Sequence, residues 1–476
     1  MANILAIDQG TSSTKALVVS EGGEVLGEGS APVHPEAKAG GAVEQDPMEL
    51  LDSIVTAGKS ALATAGVAVE AVGIANQGET VLRWDRESGK PFGPALSWQD
   101  RRAAPIAREL EGHADRLTEI TGLPLDPYFA APKMTWLRRE SGPDGVITMI
   151  DAWLNERLAG AFVTDAATAS RTLLLDLEST GWSEEACALF EIDPATQPEI
   201  VDCAHPVGET RAFGPPLPIT GLVVDQQAAL FAESCFDAGE AKCTYGTGAF
   251  ILATAGNQAL QSESRLAACV AWRLDGNTTY CLDGQVYSAG SAVSWLQELA
   301  LIGHAAELDD VDGAGDGEVV FVPSLAGLGA PFWAPEARGG WLGLSLASRR
   351  EDLVRAVVWG IAAQVASLAR AMGEDMGRPL ERLRVDGGLT RSASLMQAQA
   401  DLLQAPVERY PSADATALGV GAFARLGWGA ATTPEEAVGA WLPEQVFEPQ
   451  LAADEAEERL ARWEAAATLL AQLSRA

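Results

Sequence analysis

Positive charge is what this 476-residue chain has least of: 33 lysines and arginines stand against 66 aspartates and glutamates, a net charge of −33. Such a field repels phosphate backbones and anionic lipid, so neither nucleic acid nor a membrane surface is expected as a partner. Cysteine is also sparse. The six residues Cys187, Cys203, Cys235, Cys243, Cys269 and Cys281 form no C-x-x-C pair and have no histidine pair nearby, which argues against a zinc site and a disulfide scaffold and leaves buried reduced thiols. No uninterrupted apolar run approaches the roughly 18 residues of a membrane span. No basic stretch with an apolar core precedes the first strand pattern, so a cytoplasmic protein is expected. Two common nucleotide-binding loops are missing as well: there is no G-x-x-x-x-G-K-[ST], and no G-x-G-x-x-G lies between a strand and a helix.

What remains is an ordinary globular composition, 47% apolar and 21% charged, long enough for roughly two to three domains of about 150 residues each. Strand patterns beside helices of modest length indicate an α/β protein. The chain opens with two apolar runs joined by Asp8-Gln9-Gly10-Thr11-Ser12-Ser13-Thr14, and Tyr245-Gly246-Thr247-Gly248 joins a similar pair half a chain later. Two such hairpins suggest two domains of related architecture, residues 1–234 and 235–476. Between them, Asp46-Pro47 reads as a helix start, and a hairpin is expected from Val81–Asp85 and Ala95–Gln99. The strand Leu222–Val224 runs into Asp225, a natural N-cap for the segment that follows. Later, Leu383–Val385 ends in Asp386-Gly387-Gly388 before a helix from Ser392 to Leu403. Gly419 and Gly421 lie in a helix rich in small residues, where close packing is expected. A charged amphipathic helix, Glu455–Leu473, closes the chain.

A plain hairpin gains nothing from a row of hydroxyls. A glycine turn with hydroxyls and converging N–H groups makes a phosphate cradle, because oriented amides supply positive potential without net charge. Asp8, ending a strand beside that cradle, would be tolerated there by holding a cation, and largely hydrated magnesium fits. Lys15 adds charge compensation. Asp225 is the candidate base: phosphoryl transfer to an alcohol needs one carboxylate to accept the hydroxyl proton, and a helix N-terminus is expected to keep it ionised at neutral pH.

In this order the motifs resemble the carbohydrate kinases of the FGGY family, above all its glycerol-phosphorylating branch. The likeness spans essentially the whole chain: the first hairpin, Asn76-Gln77-x-Glu79-Thr80, Ser97-Trp98-Gln99-Asp100, Asp126-Pro127-Tyr128-Phe129, Asp225-Gln226-Gln227, Tyr245-Gly246-Thr247-Gly248-x-Phe250, Gly327-Leu328-Gly329-Ala330-Pro331 and Asp386-Gly387-Gly388. The resemblance implies two ribonuclease-H-like, actin-like ATPase domains with nucleotide in the cleft between them, ATP and Mg²⁺ as cofactors, and transfer to a terminal hydroxyl of a small polyol. Gly10, Thr11, Ser12, Ser13, Gly246, Thr247 and Gly329 would face phosphates, and Gly387, Gly388 and Ser392 the adenosine. Trp98, Tyr128 and Phe250 would wall the carbon backbone, and Gln77, Gly78, Glu79, Asp225 and Gln226 would line the acceptor site. Glycerol is the first expectation, with a longer polyol or ketose of the erythritol, threitol or xylulose type as the alternative. A non-catalytic actin-like ATPase switch is the rival from another class, and the assembly is left open, a homodimer included.

Two departures bear on the substrate and the nucleotide. Gly78 stands where that branch carries an arginine, and losing such a donor in a closed site costs on the order of 1.5–3 kcal/mol, about ten- to a hundredfold in affinity. Either the pocket is widened for another polyol or a side chain from elsewhere replaces the guanidinium. Ser392 stands where the family places an adenine-contacting asparagine.

Overall fold

The computed structural model describes residues 2–142, 144–310 and 319–474. The opening hairpin forms as expected, Ile4–Gln9 pairing antiparallel with Ser13–Val19. Every residue from Ile4 to Ile7 is buried, as expected of a strand covered on both faces. Val25–Pro32 adds a third strand on one side, while Ala71–Asn76 and Leu217–Val224 add parallel strands on the other. The short strand Gly208–Thr210 completes a six-stranded sheet. The second half builds a seven-stranded sheet on a related plan. Its hairpin, Ala241–Tyr245 with Ala249–Gly256, is flanked by antiparallel strands on one side and by the parallel strands Leu383–Asp386 and Val407–Arg409 on the other. In both sheets the hydroxyl-bearing turn therefore emerges at the same end of the first hairpin strand.

One helix joins the two halves. Ala415–Trp428 belongs to the second half in sequence but lies on the first sheet, and glycines make the approach close enough. A methyl at Gly419 would sit 1.9 Å from the carbonyl oxygen of Ala228, one at Gly73 2.5 Å from that of Val420, and one at Gly427 2.1 Å from that of Thr220. The expected packing role of Gly419 is thus met by a backbone that leaves no room for a Cβ.

Asp46 caps the helix Pro47–Ala65 through the N–H of Met48 at 2.9 Å. The long helix Arg350–Met376 has the length and hydropathy of a membrane span, yet 78% of its most apolar window is buried inside the fold, which makes it a core helix. All six cysteines are buried and unbridged. Two local expectations differ. The return strand at Ala95–Gln99 shortens to Ala95–Leu96, because the N–H groups of Trp98 and Gln99 turn to the hydroxyls of Thr80 and Ser97 instead of a ladder, and Lys90–Pro91 pairs separately. Asp225 is the first residue of the helix Asp225–Ala232 rather than its cap, and Val224 precedes it in extended conformation.

Candidate active site

A cleft of about 640 Å³ opens between the turns of the two hairpins. It brings together Thr11, Ser12, Gly78, Glu79, Trp98, Tyr128, Asp225, Gln226, Gly246, Thr247 and Phe250, which are widely separated in sequence. The first turn is tight: the Gly10 N–H donates to Ser13 at 3.1 Å, and Ser12 and Ser13 are exposed at its tip. The second is braced by the helix Gly290–Glu298, whose first N–H groups donate to the carbonyls of Gly246 and Thr247 at 3.0 Å. A methyl at Gly290 would meet the Gly246 oxygen at 2.5 Å. Glycine here allows a helix start to be pressed against a turn.

The aromatic wall forms through edge contacts. Trp98 meets Tyr128 at 5.9 Å and Phe250 at 6.2 Å between ring centroids, and its indole N–H donates to the Thr11 hydroxyl at 2.9 Å. That hydrogen bond ties the acceptor wall to the first hairpin. Lys133, fully buried, donates to the carbonyls of Pro127, Tyr128 and Phe129 and so fixes the loop that presents Tyr128.

Arg171 is the residue that sequence reasoning missed. Its Nε donates to Glu79 at 2.6 Å and its Nη2 to Asp283 at 2.8 Å, with Nη1 3.4 Å from the Cys269 sulfur. The guanidinium lies over the rings of Phe129 and Tyr128, 5.3 and 5.9 Å from their centroids. Burial opposes its charge, but Glu79 and Asp283 hold it in the charged form. The signal available in sequence was a lone arginine in the otherwise apolar or hydroxylated run Ala169–Leu175, which says buried charge but not where its partner lies. Glu79, for its part, is a buried non-glycine residue at φ 52°, a strained backbone of the kind that persists where surrounding contacts over-determine it. Burial raises its carboxyl, and Arg171 counters that rise.

Asp225 accepts the Gln226 backbone N–H at 2.7 Å. Its carboxyl is nevertheless pushed up to about 7, by burial and then by the charge of Glu79, against the opposing pull of that N–H, Lys242 and Arg171. The expectation that a helix N-terminus keeps it fully ionised is corrected: withdrawal from water outweighs the dipole. Asp8 is likewise pushed up to about 7, by burial, Asp225 and Asp414. Lys15 pairs with Asp414, which arrives at the head of the crossing helix, and so compensates that carboxylate most directly.

Among the described residues no three acidic, histidine or cysteine side chains converge to hold a metal directly. The surplus of carboxylates around Asp8 suits a cation kept hydrated and reached through water. Several expected residues lie outside the cleft wall. Gln77 is buried behind it, donating to Gln45 at 3.1 Å. Gly387, at φ 93°, packs where a methyl would stand 2.5 Å from the Tyr245 carbonyl, and Gly388 beside it faces open space. Ser392 caps the helix Ala393–Leu403 and donates to Asp309 at 2.7 Å, which commits its hydroxyl to the protein. Gly329 abuts Gln285 and Tyr287, the latter at the cleft's edge.

Comparison with known proteins accounts for the whole chain. Residues 3–232 match the N-terminal domain of the FGGY family of carbohydrate kinases and residues 241–428 its C-terminal domain. A glycerol kinase of Aromatoleum aromaticum is 41% identical, with 97% of each chain covered, and one of Myxococcus xanthus is 40% identical over 97% of this chain and 98% of its own. In structure, a glycerol kinase of Plasmodium falciparum with ADP superposes with a TM-score of 0.92 at 30% identity, covering 98% of this chain and 97% of that one. A xylulose kinase of Rhodospirillum rubrum, at 23% identity and a TM-score of 0.88 over the full length of both chains, shares the fold. Matching over both halves and along nearly the entire length, the chain belongs to the FGGY family of carbohydrate kinases.

Proposed function

We propose that the protein transfers the γ-phosphoryl group of ATP to a terminal hydroxyl of glycerol. The observation that carries this is the convergence of Asp225, the Glu79–Arg171 pair and the Trp98–Tyr128–Phe250 wall in one cleft with both hydroxyl–glycine turns. A carbon backbone would lie on the rings, and its hydroxyls would meet a carboxylate acceptor at Glu79 and a guanidinium donor at Arg171. Arg171 restores the type of donor that Gly78 lacks, which favours glycerol over the longer polyols.

For transfer, the acceptor hydroxyl gives its proton to a carboxylate oxygen of Asp225 as its oxygen bonds to the γ-phosphorus and the bond to ADP breaks. Thr11, Ser12, Gly246 and Thr247 cradle the phosphates. Magnesium, held through water near Asp8, would neutralise developing charge on the phosphate oxygens. Gly387 and Gly388 remain the proposed adenosine side of the nucleotide site, at the end of the interior strand Leu383–Asp386 beside Tyr245.

The test is ADP release with Mg²⁺-ATP across glycerol, erythritol, threitol, pentitols, xylulose and ribulose. Glycerol is expected to give the highest kcat/KM, and Asp225→Asn to abolish turnover. A better longer polyol would reassign the substrate, and polyol-independent hydrolysis surviving Asp225→Asn would overturn the kinase reading.

A further inference from the structure

Lys242 sits within the strand Ala241–Tyr245, inside the seven-stranded sheet, with its side chain fully buried. A buried ammonium needs partners. Its Nζ donates to Oε1 of Gln226 at 2.6 Å and to Oγ1 of Thr244 at 2.8 Å, and the buried carboxyls of Asp386 and Glu233 lie close enough to feel its charge. Gln226 and Thr244 both line the cleft. An ammonium carries donors only, so the glutamine atom it grips must be the oxygen. The usual ambiguity between the two ends of an amide is thereby removed: with Oε1 held by Lys242, the NH₂ of Gln226 is the end left for the cleft, one residue from Asp225.

We propose that Lys242 is a positioning residue that fixes the polarity of Gln226, so that the acceptor alcohol meets an amide donor beside the proton-accepting carboxylate of Asp225. The arrangement suits a hydroxyl oxygen, which can accept from the amide while its proton goes to the carboxylate. An ammonium in that place would find no acceptor at Gln226. The inference rests on the reading of Asp225 and Gln226 as facing the alcohol.

The experiment is steady-state kinetics of the full chain with Mg²⁺-ATP and glycerol. The forms compared are wild type, Gln226→Glu, Gln226→Ala, Lys242→Met and the double variant Lys242→Met/Gln226→Ala. Gln226→Glu keeps size and its bond to Lys242 but turns an oxygen toward the cleft, so it is expected to raise KM for glycerol roughly tenfold, as Gln226→Ala does, the worth of one hydrogen bond. kcat is expected to fall less than KM rises. Assayed at a pH well above 7, where Asp225 stays ionised without the pull of Lys242, Lys242→Met is expected to raise KM and to add nothing on top of Gln226→Ala, a non-additivity that a merely structural lysine does not produce. A wild-type KM in Gln226→Glu would show that the carbonyl faces the substrate and overturn the proposal, whether or not Lys242→Met folds. Full additivity would overturn it too. Wild-type enzyme inactive on glycerol would instead count against the substrate assignment.

Discussion

A carboxylate held near neutrality is a base with a visible titration. Asp225 must be unprotonated to accept the hydroxyl proton, and burial pushes its carboxyl up to about 7. The kcat/KM for the polyol is therefore expected to fall as the pH drops below about 7. Asp8 is pushed up to about 7 as well, so the Mg²⁺ concentration needed for half-maximal rate should rise as the pH falls below about 7. A flat profile through neutrality would show that the assembled site keeps Asp225 ionised there, against the pull of its burial. At Arg171 the geometry is a fork, with Nε on Glu79 and Nη2 on Asp283. A lysine cannot reproduce it. Arg171→Lys is expected to raise KM for glycerol by about ten- to a hundredfold, one charged hydrogen bond in a closed site, measured against Asp225→Asn, which should lose kcat instead.

At the scale of elements, the least forgiving place is Gly419, where the helix Ala415–Trp428 presses against the helix Asp225–Ala232 beside the first sheet. Gly419→Ala would force a methyl toward the Ala228 carbonyl, where the backbone stands 1.9 Å away. Overpacking of this kind costs on the order of 1–3 kcal/mol, and thermal melting should show it, while alanine at Gly388, which faces open space, should melt as wild type. The helix was legible as a packing element because small residues at helical spacing have few other uses. Its destination was not, since nothing in the run from Ala415 to Trp428 says which sheet supplies the matching Gly73 and Gly221, where a methyl would stand 2.5 Å from the Val420 carbonyl oxygen and from the Ala424 nitrogen respectively. The site divides in the same way. Gly10 to Ser13 and Gly246 to Thr247 stand out as turns whose chemistry is local, and the structure brings them to one cleft. Arg171 and Lys242 stayed hidden because each acts through partners distant in sequence, Glu79 and Asp283 for one, Gln226 for the other, and a single buried cation carries no spacing to read. Asp225 was found for its position and misjudged in its titration, because desolvation is a property of the assembled cleft.

Over the whole molecule, charge dominates. At −33 the folded chain repels itself, and added salt, which shortens the screening length to about 10 Å at 0.1 M, is expected to raise Tm. Acidity acts in the same direction over a limited range. Asp8, Asp151 and Asp225 are pushed up to about 7 and Asp165 to about 6, chiefly by burial. Each binds its proton more tightly folded than unfolded, so the stability it contributes is full below its ordinary value and lost as pH rises through about 7, or through about 6 for Asp165. Tm should accordingly climb from about pH 8 to about pH 6 and should do so less in a variant lacking Asp151. The crossing helix also sets how the gene can be divided. Cut at residue 234, the first piece would leave the ribosome with a bare, glycine-grooved sheet whose cover is encoded far downstream. The two pieces made together should find each other as a split protein does, whereas the first piece made alone should be lost to inclusion bodies.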